Sequence, residues 1–291
     1  MLKGEQLIKK ISNYIDRMPP LPTSIGKILE ICQNPATNPN DLNKVISLDP
    51  VLLARVMKLI NSAYYSLPNE ITSLVRAIIM LGLNTIKNLA LSTAVLANSG
   101  LSSGKEQVID MEEFWRHSLG VGVTTKFIAR TRKIDSKEEE NYFICGLLHD
   151  IGKIPLNNQT PESFQAALDK ADHGFISLYQ AEISVMEFNH SMAGGLIMEA
   201  WKLGDEILDS ARFHHNVGEY QGRFKDVVYT VALANYFVNI MEIGFAGDRY
   251  PVKPPDEVFR YLGVTWESIT ALEPQVKQEI ERAKIFLKIA S

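Results

Sequence analysis

Apolar residues recur every three or four positions along nearly the whole chain, and no strand-like alternation of useful length or two-residue hairpin signal interrupts them. That periodicity commits the polypeptide to helices packed on helices. Leu7, Ile8, Ile11 and Ile15 begin the pattern, and Pro19-Pro20-Leu21-Pro22 stops it. Ile25, Ile28, Leu29 and Cys32 build the next helix, and Asn38-Pro39-Asn40-Asp41 turns into one carrying Leu42, Val45 and Ile46. Asp49-Pro50 joins a capping carboxylate to a proline at the first helical position; the helix behind it runs through Leu53, Val56, Met57 and Ile60. Helices are predicted at 74–81 and 85–98, parted at Gly82. Ser99-Gly100-Leu101-Ser102-Ser103-Gly104-Lys105 shifts composition and reads as a linker. Beyond it the pattern predicts helices at 114–131, 138–148, 161–171, 175–187, 190–203, 205–213 and 227–243. After a Pro/Gly-rich break at 247–255, two or three short helices are expected. The expected fold is all-α, in two packed helical bundles: 1–104, and a larger one at 105–291.

At 291 residues, 46% hydrophobic and 22% charged, the chain excludes disorder and fibrous classes, and it buries a core without disulfide or metal staples. Thirty basic against 34 acidic residues leave a net charge of −4, which argues against a whole-chain nucleic-acid binder. Lys126, Arg130, Arg132, Lys133 and Lys137 do cluster, but Glu138-Glu139-Glu140 follows at once, so a mixed-charge solvated face is expected and no nucleic-acid partner. Cys32 and Cys145 lie far apart in apolar contexts, as reduced buried thiols do. No apolar run reaches the ~18 residues of a membrane span, and the N-terminus has no apolar core of signal-peptide length. A cytoplasmic protein without membrane contact is expected.

Five of the six histidines look placed. His117 has Glu113 four residues earlier on the same helical face. His149-Asp150 ends a helix and is followed by Ile151-Gly152-Lys153; His190 begins a helix, and His214-His215 closes the next. His173 reads as surface. Imidazole and carboxylate are the ligand set of Fe, Mn, Zn or similar ions. Consecutive helical residues point about 100° apart, so His149 and Asp150 reach one ion only at a helix end or irregular turn. Gly152 would permit that turn, and Lys153 stands where a point charge would hold a phosphate or carboxylate. Spacing alone leaves other readings open: a hydrogen-bonded structural His117, a His pair complementing a helix dipole, a His-Asp cap. Tyr64-Tyr65 read as aromatics packing a loop between helices rather than as a partner contact.

His117 followed by His149-Asp150-Ile151-Gly152-Lys153 resembles the HD superfamily of metal-dependent phosphohydrolases. From about Met18 onward the chain is similar to HDOD proteins, the HD-related output domains of bacterial signalling. The resemblance rests on Leu21-Pro22, Ser47-Leu48-Asp49-Pro50-Val51-Leu52, Leu59-Ile60-Asn61-Ser62-Ala63-Tyr64-Tyr65, Ala77-Ile78-Ile79-Met80-Leu81-Gly82 and Phe114-Trp115-Arg116-His117-Ser118. Glu182, Asn189-His190, Trp201 and His214-His215 extend it. It implies an HD-domain-like C-terminal bundle and metal ligands at Glu113, His117, His149, Asp150, His190, His214 and His215, with Lys153 as a phosphate contact. At the last ligand position Asn235 replaces the family's aspartate, and Asn216-Val217-Gly218-Glu219-Tyr220 replaces the Gly-Tyr-Pro motif of the cyclic di-GMP hydrolases. The resemblance therefore implies a bacterial signal-transduction module acting through signalling protein partners, with a divalent metal site. The alternative is a metal-dependent phosphohydrolase or phosphodiesterase taking a nucleotide or cyclic dinucleotide. Cleavage of cyclic di-GMP is not expected.

Overall fold

A computed structural model describes residues 4–98, 107–136 and 138–290. The first half holds α1 (Gly4–Ile15), α2 (Thr23–Cys32), α3 (Pro39–Ser47), α4 (Pro50–Ile60), α5 (Leu74–Leu81) and α6 (Leu83–Asn98). The second begins with α7 (Met111–Thr131), α8 (Glu139–Leu148), α9 (Lys153–Gln159), α10 (Pro161–Gly174) and α11 (Leu178–Met186). It continues with α12 (His190–Ala200), α13 (Asp205–Phe213), a short 3-10 turn at Val217–Glu219, and α14 (Lys225–Ile240). Four short helices follow, α15 (Asp256–Leu262), α16 (Trp266–Thr270), α17 (Glu273–Ala283) and α18 (Ile285–Ala290), where the sequence suggested two or three. No strand occurs among the described residues. The fold is all-α, as expected. The linker read at 99–105, and with it the boundary at 104/105, lies outside the described residues.

Local chemistry explains the helix starts. Asn38 accepts from the backbone N–H groups of Asn40 and Asp41 while Asp41 returns a bond to Asn38 N–H, a reciprocal cap. Asp49 Oδ1 accepts from Leu52 N–H at 3.0 Å, with Pro50 at the first helical position. The helix expected from 175 starts three residues later. Phe175 is left-handed (φ +53°) and ends α10, and Ser177 caps α11. One helix was not anticipated: α9 carries Pro155 within its first turn, where a missing N–H costs nothing.

The two halves interlock at their ends. α1 packs on α9 and α12 of the second half, and α18 packs back on α4 and α6. Tyr64 sits in this seam, buried, with its ring 5.9 Å from Phe143 and 5.2 Å from Phe286, and its hydroxyl accepts from Lys126 Nζ at 3.1 Å. It packs a loop, as read from the sequence. α7 and α8 are the most closely joined pair. A Cβ on Gly146 would stand 2.9 Å from Gly122 Cα, so only glycine at this crossing lets the two backbones approach. That crossing sets how far His117, on α7, stands from His149, at the end of α8.

Candidate metal centre

Asp150 is the hub. It follows α8 in the tight turn Asp150-Ile151 before α9, and both carboxylate oxygens are sealed from solvent. On one side Oδ2 lies 3.3 Å from His149 Nε2 and 3.7 Å from His117 Nε2. On the other, Oδ1 lies 3.3 Å from His190 Nε2 and 3.5 Å from His214 Nε2. His215 joins the second group, its ring 4.2 Å from His214 and 4.9 Å from His190. The donors thus fall into two sets that share Asp150: His117, His149 and Asp150; and Asp150, His190, His214 and His215. Within each set the ligand atoms lie within 4.8 Å of one another.

The histidines are aimed from behind. A carbonyl oxygen only accepts, so Nδ1 of His149 must donate to Gly146 O at 2.7 Å, and Nδ1 of His214 to the carbonyls of Ser210 and Ala211 at 3.0 Å each. His190 Nδ1 meets the Glu182 carboxylate at 2.6 Å, and the same oxygen accepts the His190 backbone N–H at 3.0 Å. Each ring is thereby held in the tautomer that leaves the Nε2 lone pair facing Asp150. Those three Nε2 atoms, both nitrogens of His117, His215 Nε2 and Asp150 Oδ1 are buried without a hydrogen-bond partner. So many buried orphans would be costly in a structural network. They are what a divalent cation requires: neutral imidazoles and a carboxylate converging on one point. The donor set fits a metal.

Electrostatics agree. Burial holds His117, His214 and His215 below the usual imidazole range, His214 down to about 4, so they are neutral donors at neutral pH. Burial opposes ionisation of Asp150, but the positive charge around it, which includes the Lys153 ammonium on Oδ2, outweighs it and keeps the carboxyl well below the ordinary carboxylate value. In the metal-free protein the depressed imidazoles have a consequence. Between about pH 6.5 and 4 the unfolded chain binds a proton at His214 that the folded chain refuses. Stability is therefore full above about pH 6.5 and is lost as pH falls toward 4, by about 3 kcal/mol for His214 alone at 1.36 kcal/mol per unit. Urea titrations in chelator between pH 7.5 and 4.5 should show this fall; a flat profile would contradict it.

Two expected participants lie elsewhere. Glu113 is on the first turn of α7, partly exposed and paired with Arg116 at 3.4 Å; it does not reach Asp150. It stands in the N-terminal turn of α7, one turn before His117, and its carboxylate turns to Arg116 instead. Lys153 is buried, but its ammonium lies on Asp150 Oδ2 at 2.5 Å instead of facing a substrate. Three residues after Asp150, it is placed by the same tight turn. Asn235 lies at the edge of the cluster, its side-chain oxygen accepting from Asn239 Nδ2 at 2.9 Å. With His214, His215, Tyr236, Val252 and Lys253 it lines a cleft of about 260 Å³ that leads from solvent to the histidines.

Two carboxylates have roles that sequence spacing does not reveal. Glu182, which enters the sequence reading only through the resemblance, orients His190. Asp248, in the Pro/Gly-rich break, is buried beside Lys153 and His190 and accepts from Leu178 N–H at 3.2 Å; burial pushes its carboxyl up. No periodic signal marks either one.

The fold is an all-α domain with a buried His/Asp cluster that could hold metal. The sequence matches the HDOD domain over residues 18–217, and the chain belongs to that family. An uncharacterized protein of Treponema pallidum (strain Nichols) is 24% identical over 237 residues, 81% of this chain; the chain spans 45% of that relative's length. An HDOD domain protein of unknown function from Geobacter sulfurreducens superposes with a TM-score of 0.73 at 24% identity, covering 97% of each chain. A protein of Shewanella amazonensis SB2B, provisionally named a phosphohydrolase, gives 0.70 at 20% identity, covering 97% of this chain and 98% of its own. These likenesses establish the shared fold.

Proposed function

We propose that this HDOD chain is a signal-transduction module that acts through signalling protein partners and carries a divalent metal centre of the Fe, Mn or Zn type. The observation that carries the metal is the ring of unpartnered Nε2 atoms around buried Asp150. His117, His149 and Asp150 would hold one ion, and Asp150 with His190, His214 and His215 a second. A bound ion would supply Lewis acidity and a lowered pKa for a coordinated water. Glu182 and the Gly146, Ser210 and Ala211 carbonyls fix the imidazoles, and Lys153 balances the charge of Asp150.

The alternative, hydrolysis of a phosphorylated substrate, is favoured by one observation: the cleft that reaches His214, His215 and Asn235. Against it stand Glu113 paired with Arg116, Lys153 committed to Asp150, and a neutral amide at 235. An amide is a weaker ligand for a hard or borderline cation than a carboxylate, and a weaker second ion leaves phosphoryl charge less neutralised.

The test is the metal content of protein purified without chelator, paired with hydrolysis assays on nucleotides and cyclic di-GMP. Stoichiometric metal is expected, with cyclic di-GMP turnover far below ~1 s⁻¹. Stripping with EDTA should lower Tm by several degrees, since an ion at 100 times its Kd contributes about 2.7 kcal/mol. Protein that retains no ion and shows no Tm response to Mn, Fe or Zn would refute the metal centre. Asn235→Asp should tighten metal binding by restoring a charge at the cleft; if hydrolysis also appears, the enzymatic reading gains.

A further inference from the structure

α8 and α13 end at His149 and His214, and their opposite ends meet α2 and α6 at the seam between the halves. A second cavity of about 400 Å³ opens there and shares no lining residue with the cleft above Asp150. Three cations stand around it. Lys87 comes from α6, Lys202 from the left-handed turn (φ +53°) that ends α12, and Arg223 from the segment before α14. Lys87 Nζ meets only an amide, Asn84 Oδ1 at 3.4 Å, and neither Lys87 nor Lys202 has a carboxylate within 4 Å among the described residues. α13 is preceded by Gly204 at the cap position, so its first N–H groups have no capping side chain. Asp205 and Glu206 line the same cleft. Asp205 is already held by Arg223 at 3.2 Å, which leaves Lys87 and Lys202 against the single carboxylate of Glu206. The remaining wall is different in kind. It holds Ile144, the Phe224 ring under the Arg223 guanidinium (4.6 Å), and the Asn88–Asn141 amide pair (2.7 Å).

We propose that this seam cleft binds a small phosphate-bearing molecule the size of a nucleoside monophosphate. The cations and the open helix N-terminus suit the phosphate. The apolar and amide wall suits a heterocycle, and the volume lies within the ~300–1,000 Å³ of ligand pockets. The site stands independently of the metal reading. It also offers an internal reporter: Cys32 lines the cleft and is half-buried, whereas Cys145 is sealed in the core.

The test titrates AMP and GMP into EDTA-stripped protein by calorimetry and follows alkylation of Cys32 in parallel. Saturable binding of at least one nucleotide is expected, with Cys32 alkylation slowed several-fold at saturation. Lys202→Gln/Arg223→Gln changes two exposed side chains, so it should leave the fold intact, checked by Tm, and weaken binding at least tenfold. No saturation by either nucleotide below ~5 mM, unchanged affinity in the double variant, or unaltered Cys32 alkylation would each overturn the proposal. Binding that appears only in metal-loaded protein would do so as well, by moving the ligand to the Asp150 centre.

Discussion

Asp150→Ala is expected to abolish metal binding and to destabilise the metal-free fold by about 3–5 kcal/mol. The first effect follows from position: Asp150 belongs to both ligand sets, so its loss removes the anionic donor from each. The second follows from Lys153. Its ammonium is 3% exposed and rests on Asp150 Oδ2, with the Asp248 carboxyl pushed up by burial nearby. Without Asp150 a buried cation loses its closest counter-charge, which is far more costly than removing both members of a pair. Asp150→Ala/Lys153→Met should therefore regain most of the lost stability while still binding no metal. Denaturant titrations of both variants in EDTA separate the effects. A single variant that loses less than ~1 kcal/mol would show that the ion pair does not carry the stability assigned to it.

Gly152→Ala should be more disruptive than its one methyl group suggests. A Cβ at 152 would stand 1.9 Å from His190 O and 2.4 Å from Gly194 N. Both are backbone atoms of α12, so no side chain can rotate away to make room. The turn after Asp150 and the start of α12 would have to separate, which moves His190 away from Asp150. The expected loss is at the extreme of single substitutions, above about 4 kcal/mol, or failure to fold. Any folded fraction should show strongly weakened metal binding. Gly26→Ala is the control. It lies inside α2 with nothing within 4 Å of the added methyl, and should be neutral or stabilising by about 0.5–1 kcal/mol. Comparable losses in the two variants would show that close packing at 152 is not the cause.

Gly152 also marks the limit of what the chain discloses by itself. The sequence suggested a glycine that frees the turn, but its backbone is ordinary right-handed (φ −65°, ψ −15°), and the requirement comes from α12 pressing on it. The same division runs through the molecule. Helix spacing, the Asp49-Pro50 start and the all-α class depend on side chains a few residues apart, and such local chemistry is written directly in the sequence. The resemblance to HDOD proteins further singled out His117, His149, Asp150, His190, His214 and His215, which lie on four separate segments and do converge. It also singled out Glu113, which pairs with Arg116, and gave Lys153 a phosphate where it holds Asp150. Glu182, Asp248 and the seam cleft between α2, α6, α8 and α13 left no periodic trace. Each depends on which faces of distant helices meet, and that is decided by packing of the whole chain, down to the glycine crossing of α7 and α8 that sets His117 against His149.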